Sequence, residues 1–134
     1  MEKKILLGTI GGAVAGTVVS MAIYMGIFGN MAEQWMAENG ACLKEMNPTW
    51  WFVSAMVHGL LYALLFHKMG IKTTKSGAIA GTWIALLLAT FIGISMASTY
   101  TAYSWDWLPL DILGNTVASA VAGATIGWIY GKVQ

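Results

Sequence analysis

The chain has 134 residues, of which 57% are hydrophobic and only 10% are charged. Soluble globular domains carry about 25% charged residues, so this composition indicates an integral membrane protein without room for a separate soluble domain. The net charge is +1, every basic residue is lysine, and no basic cluster is present that would neutralise a row of phosphates, which argues against nucleic-acid binding.

Four apolar segments are long enough to cross a bilayer as helices, which takes about 20 residues each. We predict helices at about 5–29, 49–67, 77–97 and 108–131. The N-terminal run begins like a signal peptide but continues to a full spanning length, so we expect a retained first helix. The sequence predicts one transmembrane domain, residues 1–134, folded as an all-α four-helix bundle.

The polar connection after the first helix has helical signals of its own. Met31 and Trp35 share one helical face there, which suggests a short interfacial helix ending near Gly40, with an irregular loop as the alternative. Asn47 followed by proline is typical of a helix start. The connection before the fourth helix is rich in Tyr and Trp, which are enriched where helices meet lipid headgroups.

Each predicted helix carries Gly, Ala or Ser at every fourth position, so the small side chains form a stripe of the glycine-zipper type. Helices in lipid associate where small residues let backbones approach closely. The stripes exceed what one bundle needs, so we expect some of them, around Gly81 and Gly127, to face helices outside the chain. The predicted packing residues are Gly8, Gly12, Gly16, Gly59, Gly77, Gly81, Ala85, Gly93, Gly123 and Gly127.

Charge and repetition predict the topology. Six of the seven lysines lie at the N-terminus, between the second and third helices, or at the C-terminus. By the positive-inside rule, we expect both termini to lie on the cytoplasmic side of a bacterial inner membrane.

Residues 12–17 recur at 77–82 with one change, which suggests a parallel repeat of two helical hairpins. The alternative is chance matching in a chain rich in Ala and Gly.

The end of the first helix carries the residues of a family resemblance. Tyr24, Phe28 and Gly29 lie there, Trp35 follows shortly after, and the third and fourth helices are rich in glycine. This layout is similar to a class of small bacterial four-helix membrane proteins known only as domains of unknown function. The resemblance supports the four-helix fold and implies no activity, cofactor or site residue.

His58 is the most informative single residue, because it falls near the middle of a predicted helix, where an ionisable group is expensive. Ser54, His58 and Tyr62 are spaced four apart and share one polar face. A neutral imidazole there would accept a proton or bind a metal, haem or a chlorophyll-type pigment. The alternative is a structural histidine that is hydrogen-bonded to a neighbouring helix.

A second polar face, formed by Asp111, Asn115 and Ser119, descends from the start of the fourth helix to its middle. Together with His58, this face would line a half-channel for protons or a cation that enters from outside. The alternative is that Asp111 simply lies in a first helical turn, where the helix dipole favours a carboxylate.

Nine methionines are many for this length. Met21 and Met25 form a Met-x-x-x-Met pair, and thioether and thiol ligands suit Cu(I). Ordinary packing of methionine in apolar helices is the alternative to a copper site. Further soft side chains are expected on the outer side at Met31, Met36, Cys42, Met46 and Met96.

The sequence contains no nucleophile elbow, zinc-protease motif or phosphate loop, so we expect no catalytic activity. The leading hypothesis is a polytopic inner-membrane protein that acts through helix packing, as a homo-oligomer or as an accessory subunit of a larger complex. The competing hypothesis is a small transporter or channel for protons or a cation, and a third is binding of haem, pigment or copper. The expected partners are the lipid bilayer and other membrane helices.

Overall fold

The computed structural model describes residues 2–45 and 47–133. Its elements are α1 (Glu2–Met21) with a π-helical continuation (Ala22–Ile27), α2 (Gly29–Asn39), a short 3-10 turn (Gly40–Cys42), α3 (Pro48–Lys68), α4 (Thr74–Thr99) and α5 (Leu108–Lys132). Four helices are long and apolar enough to cross a membrane: α1 with its continuation, α3, α4 and α5. The chain is therefore an all-α bundle with the architecture of a multi-pass membrane protein, as predicted.

The bounds of the four predicted long helices lie within three residues of the observed ones. The short helix predicted after the first span is present as α2, so the irregular loop is excluded. The π-helical continuation of α1 was not predicted, and we find no sequence signal for it.

Local capping explains where α3 and α4 begin and end. The Asn47 side chain accepts hydrogen bonds from two backbone N–H groups of the first turn, and Pro48 is the first helical residue, which confirms the predicted start. α3 ends before Gly70, whose positive φ of 68° allows the backbone to turn out of the helix. A capping box between Thr73 and Ser76 then starts α4 earlier than its apolar pattern predicts.

The bundle is open along one edge. α1 packs against α3 and α5, and α5 packs against α1 and α4, whereas α3 touches α4 and α5 only slightly. The order around the bundle is therefore α3, α1, α5, α4, with a gap between α3 and α4.

Glycines bring the backbones of α4 and α5 together. A Cβ atom added to Gly77 would overlap the Gly123 carbonyl oxygen, and one added to Gly81 would overlap that of Ser119. Gly127 lies equally close to the carbonyl oxygen of Thr73. The expectation that Gly81 and Gly127 face helices outside the chain is wrong, because both lie inside the α4–α5 contact.

The remaining predicted packing residues also face neighbouring elements. Gly59 of α3 lies against the Thr9 backbone of α1, and Ala85 is 4% exposed. The other contacts are those of Gly8 with Tyr130, Gly12 with Ile126, Gly16 with Ala122, and Gly93 with Leu108.

The two copies of the repeated segment both pack on α5. Gly12 of the first copy packs on α5, which belongs to the other hairpin. Gly77 of the second copy also packs on α5, which is the partner within its own hairpin. The predicted parallel repeat would instead place Gly12 against α3, so the packing does not follow that symmetry.

A buried core closes one end of the bundle. Phe66 and Ile126 are its largest fully buried side chains, and the Tyr130 hydroxyl donates to the Ala63 carbonyl oxygen over 2.7 Å. We call this end the basic end, since Lys3, Lys4, Lys68, Lys72, Lys75 and Lys132 lie there in the sequence. The opposite end, with the connection at residues 100–107, is the aromatic end.

Candidate functional site

A cavity of about 240 Å³ lies between α1, α3 and α5. It forms because α3 packs on α1 through Gly59 and makes little contact with α5. Seven of its lining residues are polar, although the three helices around it are apolar. The polar lining residues are Thr17, Ser20, Ser54, His58, Tyr62, Asn115 and Ser119.

A second cavity, of about 390 Å³, lies on the other side of α3, between α3, α4 and α5. It shares with the first cavity four residues, the shared polar residues, which are His58, Tyr62, Asn115 and Ser119. Its apolar lining includes Leu61, Leu88 and Ile92, all of which are exposed at the surface of the bundle. The second cavity therefore opens sideways between α3 and α4.

The Tyr62 hydroxyl is the unsatisfied group of this site. Tyr62 is only 2% exposed, and its hydroxyl has no hydrogen-bond partner among the residues that the structure describes. The Ser119 side chain is close enough to act on the Tyr62 hydroxyl, but the two do not form a hydrogen bond of ordinary distance and angle. A buried polar group without a partner costs about 1–3 kcal/mol, so this hydroxyl favours a polar molecule in the cavity.

The His58 ring lies at the border of both cavities. It packs edge-on against the Tyr62 ring, with ring centres 4.9 Å apart. Within residues 2–45 and 47–133, no protein group forms a hydrogen bond with the His58 ring. The predicted alternative, a structural histidine bonded to a neighbouring helix, is therefore not observed in this part of the chain. The imidazole is accessible to a molecule in either cavity.

Asp111 is the centre of a hydrogen-bond cluster near the aromatic end. Its Oδ1 atom accepts from the Tyr24 hydroxyl over 2.6 Å and from the Asn115 amide over 3.1 Å. Its Oδ2 atom accepts from the Tyr103 hydroxyl over 2.7 Å. All three donors are neutral, so they do not neutralise the negative charge of the Asp111 carboxylate.

Tyr24 and Tyr103 are the site residues that the sequence analysis missed. Both tyrosines lie near the ends of helical segments, where tyrosine side chains usually lie at the level of the lipid headgroups. Burial, and then the hydrogen bond to Asp111, raise the pKa of Tyr103 above its usual range. Its phenol therefore remains a hydrogen-bond donor at physiological pH.

Asp111 itself lines the second cavity, and Asn115 connects its cluster to the first cavity. The Asn115 amide donates to the Asp111 carboxylate, and the residue lines both cavities. Asp111 and Ser119 are separated by about 12 Å along the helix axis at 1.5 Å per residue. The structure thus brings the predicted face of Asp111, Asn115 and Ser119 together with Ser54, His58 and Tyr62.

The methionine pair lies apart from this site. Met21 is 47% and Met25 is 72% exposed, and neither lines the two cavities. Cys42 is exposed, and Met46 lies outside the described residues. Among the described residues, no three His, Cys, Asp or Glu side chains are grouped to hold a metal ion.

The comparisons with known proteins return no relative for the chain. No family model matches it, and no curated protein or solved structure matches it significantly. The geometry of the site is therefore the basis on which a function can be proposed for this chain.

Proposed function

We propose that the chain is a small transporter or channel of the bacterial inner membrane, in which a proton or a small cation enters from the aromatic end and reaches His58. The observation that carries this proposal is the buried Tyr62 hydroxyl, which has no hydrogen-bond partner among the described residues and lies beside His58 in a partly polar cavity. Polar groups inside an apolar bundle are expensive and commonly mark an ion or proton pathway. No catalytic step is assigned to the chain.

The charge at the aromatic end favours a cation or a proton over an anion. The Asp111 carboxylate is held by neutral donors, and a negative charge near a low-dielectric cavity attracts cations. Asn115 and Ser119 continue from it toward the middle of the bundle. His58 is then the side chain whose ordinary titration range lies closest to physiological pH.

In this conformation, the core at the basic end closes the proposed pathway. Tyr62, Phe66, Ile126 and Tyr130 are all nearly inaccessible there. By the positive-inside rule this end faces the cytoplasm, so the core separates both cavities from the cytoplasm. Passage would require α3 to move relative to α5, and the sparse contact between these helices makes α3 the element best able to move.

The experiment is a proton-flux measurement in liposomes that carry a pH-sensitive dye. We expect the wild-type protein to dissipate an imposed pH gradient and His58→Ala to lose about tenfold of that rate, because the proton acceptor is gone. His67→Ala is the matched control, since His67 lies in the last turn of α3 and lines neither cavity. Equal flux in wild-type and His58→Ala liposomes would remove the proposal.

A second candidate is assembly through helix contact, as a homo-oligomer or as an accessory subunit. The outer surface of α4 and α5 carries a shallow groove whose lining includes Ala78, Ala120 and Ala124, beside Trp128. Small residues at a helix surface allow a second helix to approach closely, and a second copy of this chain is the simplest occupant. The mass of the protein in a mild detergent, compared with that of Ala124→Leu, tests this candidate.

A further inference from the structure

The cavity between α3 and α4 differs chemically between its mouth and its inner end. The mouth is formed by Leu61, Leu88 and Ile92. The inner end includes the shared polar residues, of which Tyr62 and Ser119 are almost fully buried, and Asp111 also lines this cavity, its carboxylate accepting from Tyr24, Tyr103 and Asn115. A molecule that fills this cavity must therefore be apolar at one end and polar at the other.

The mouth opens where the surface of the bundle is apolar. Leu88 lies near the middle of α4, and Leu61 lies past the middle of α3. Both side chains are exposed, and exposed apolar side chains at this depth of a spanning helix contact lipid chains. A water-soluble ion has no favourable route through this mouth, whereas a lipid-soluble molecule reaches it from the bilayer.

The inner end offers hydrogen-bond donors. The Tyr62 hydroxyl has no partner among the described residues, and the Ser119 hydroxyl and the His58 imidazole lie beside it. Hydroxyl and imidazole N–H groups donate to carbonyl oxygens. The volume of about 390 Å³ falls within the usual range of small-molecule sites, about 300–1,000 Å³.

We infer that this cavity binds a lipid-soluble compound of the quinone type, with its carbonyl-bearing ring at Tyr62, Ser119 and His58 and its apolar tail leaving between α3 and α4. The carbonyl oxygen supplies the partner that the Tyr62 hydroxyl lacks. The tail replaces the acyl chains that would otherwise contact Leu88. This inference goes beyond ion entry: both use Tyr62 and His58, but only the quinone site depends on the α3–α4 mouth.

The experiment measures ligand-dependent thermal stabilisation of the full chain in detergent micelles. The probe is a benzoquinone with a decyl chain, and decylbenzene is the matched compound without carbonyl oxygens. We expect the melting temperature of the wild-type protein to rise with quinone concentration to saturation, as a ligand bound only to the folded state requires. Decylbenzene should give no comparable rise.

Two pairs of variants locate the ligand. Leu88→Trp fills the mouth and should weaken the apparent quinone affinity about tenfold, whereas the neighbouring Leu87→Trp, outside the cavity, should bind like wild type. Tyr62→Phe keeps the ring and removes the hydroxyl, so we expect about fivefold weaker binding. Tyr100→Phe, an exposed tyrosine outside the cavity, is its control.

Three results would overturn the inference: no saturable stabilisation by the quinone, equal stabilisation by decylbenzene, or unchanged affinity in Leu88→Trp. The flux experiment is independent of these results. Quinone binding without proton flux would contradict proton entry alone, and proton flux without quinone binding would contradict the quinone site alone.

Discussion

Asp111 shows how a single carboxylate joins three segments of the chain. Tyr24 from the π-helical continuation of α1, Tyr103 from the last connection and Asn115 from α5 all donate to it. Hydrogen bonds to a charged acceptor are roughly twice as strong as neutral ones. Removing the charge should therefore loosen the aromatic end of the bundle, while Asp111 itself remains favoured by the dipole at the start of its helix.

The variant Asp111→Asn tests this role. An amide keeps the shape of the side chain but presents an N–H group to one of the donors, so we expect the free energy of unfolding to fall by about 1–3 kcal/mol. Thermal or denaturant unfolding in micelles measures the change. Asp106→Asn is the control, since Asp106 is exposed in the connection between α4 and α5. An equal loss of stability in both variants would show that the Asp111 cluster does not stabilise the protein.

At the scale of elements, the contact of α4 with α5 depends on glycine because backbone meets backbone. A Cβ at Gly123 would overlap the Gly77 carbonyl oxygen, and neither group is the flexible end of a side chain. The two helices would have to move apart along the whole contact, which would also separate Gly81 from Ser119. Burial between these helices, not the intrinsic preference of glycine, stabilises the pair, since glycine disfavours a helix by about 1 kcal/mol relative to alanine.

We therefore expect Gly123→Ala to destabilise the protein by about 2 kcal/mol or more, despite the better helix propensity of alanine. Gly26→Ala, in the continuation of α1, is the matched control because no atom outside its own helical segment lies within 4 Å of the added Cβ. That variant should be neutral or slightly stabilising. Melting temperatures of the two variants decide the point, and a Gly123→Ala protein as stable as wild type would contradict the close approach.

At the scale of the whole molecule, the distribution of charge predicts the orientation in the membrane. The chain has a single cysteine, Cys42, which is exposed near the aromatic end. If the basic end is cytoplasmic, a membrane-impermeant maleimide should label Cys42 in intact spheroplasts. Lys72→Cys in a Cys42→Ser background should react only after the membrane is permeabilised, and the reverse pattern would invert the topology on which the proposed direction of entry depends.

The sequence predicted more of the fold than of the site. Length and apolar composition were enough for the four long helices, and Asn47 with Pro48 was enough for the start of α3. The polar faces containing His58 and Asp111 were also predicted, because residues four apart in a helix share a face. Tyr24 and Tyr103 were missed, because the Tyr24–Asp111 bond joins residues 87 positions apart and no local pattern encodes such a contact.

By itself, the sequence determined that this chain forms long apolar helices, since a helix must satisfy its own backbone hydrogen bonds in lipid whatever its neighbours are. The tertiary structure decided which helices meet. It turned Gly81 and Gly127 inward, against α5 and the start of α4, and left α3 away from α5, so that polar side chains of both line a shared cavity. Small residues permit close approach on every helix that carries them, and only the mutual fit of all the helices selects the pairs that form.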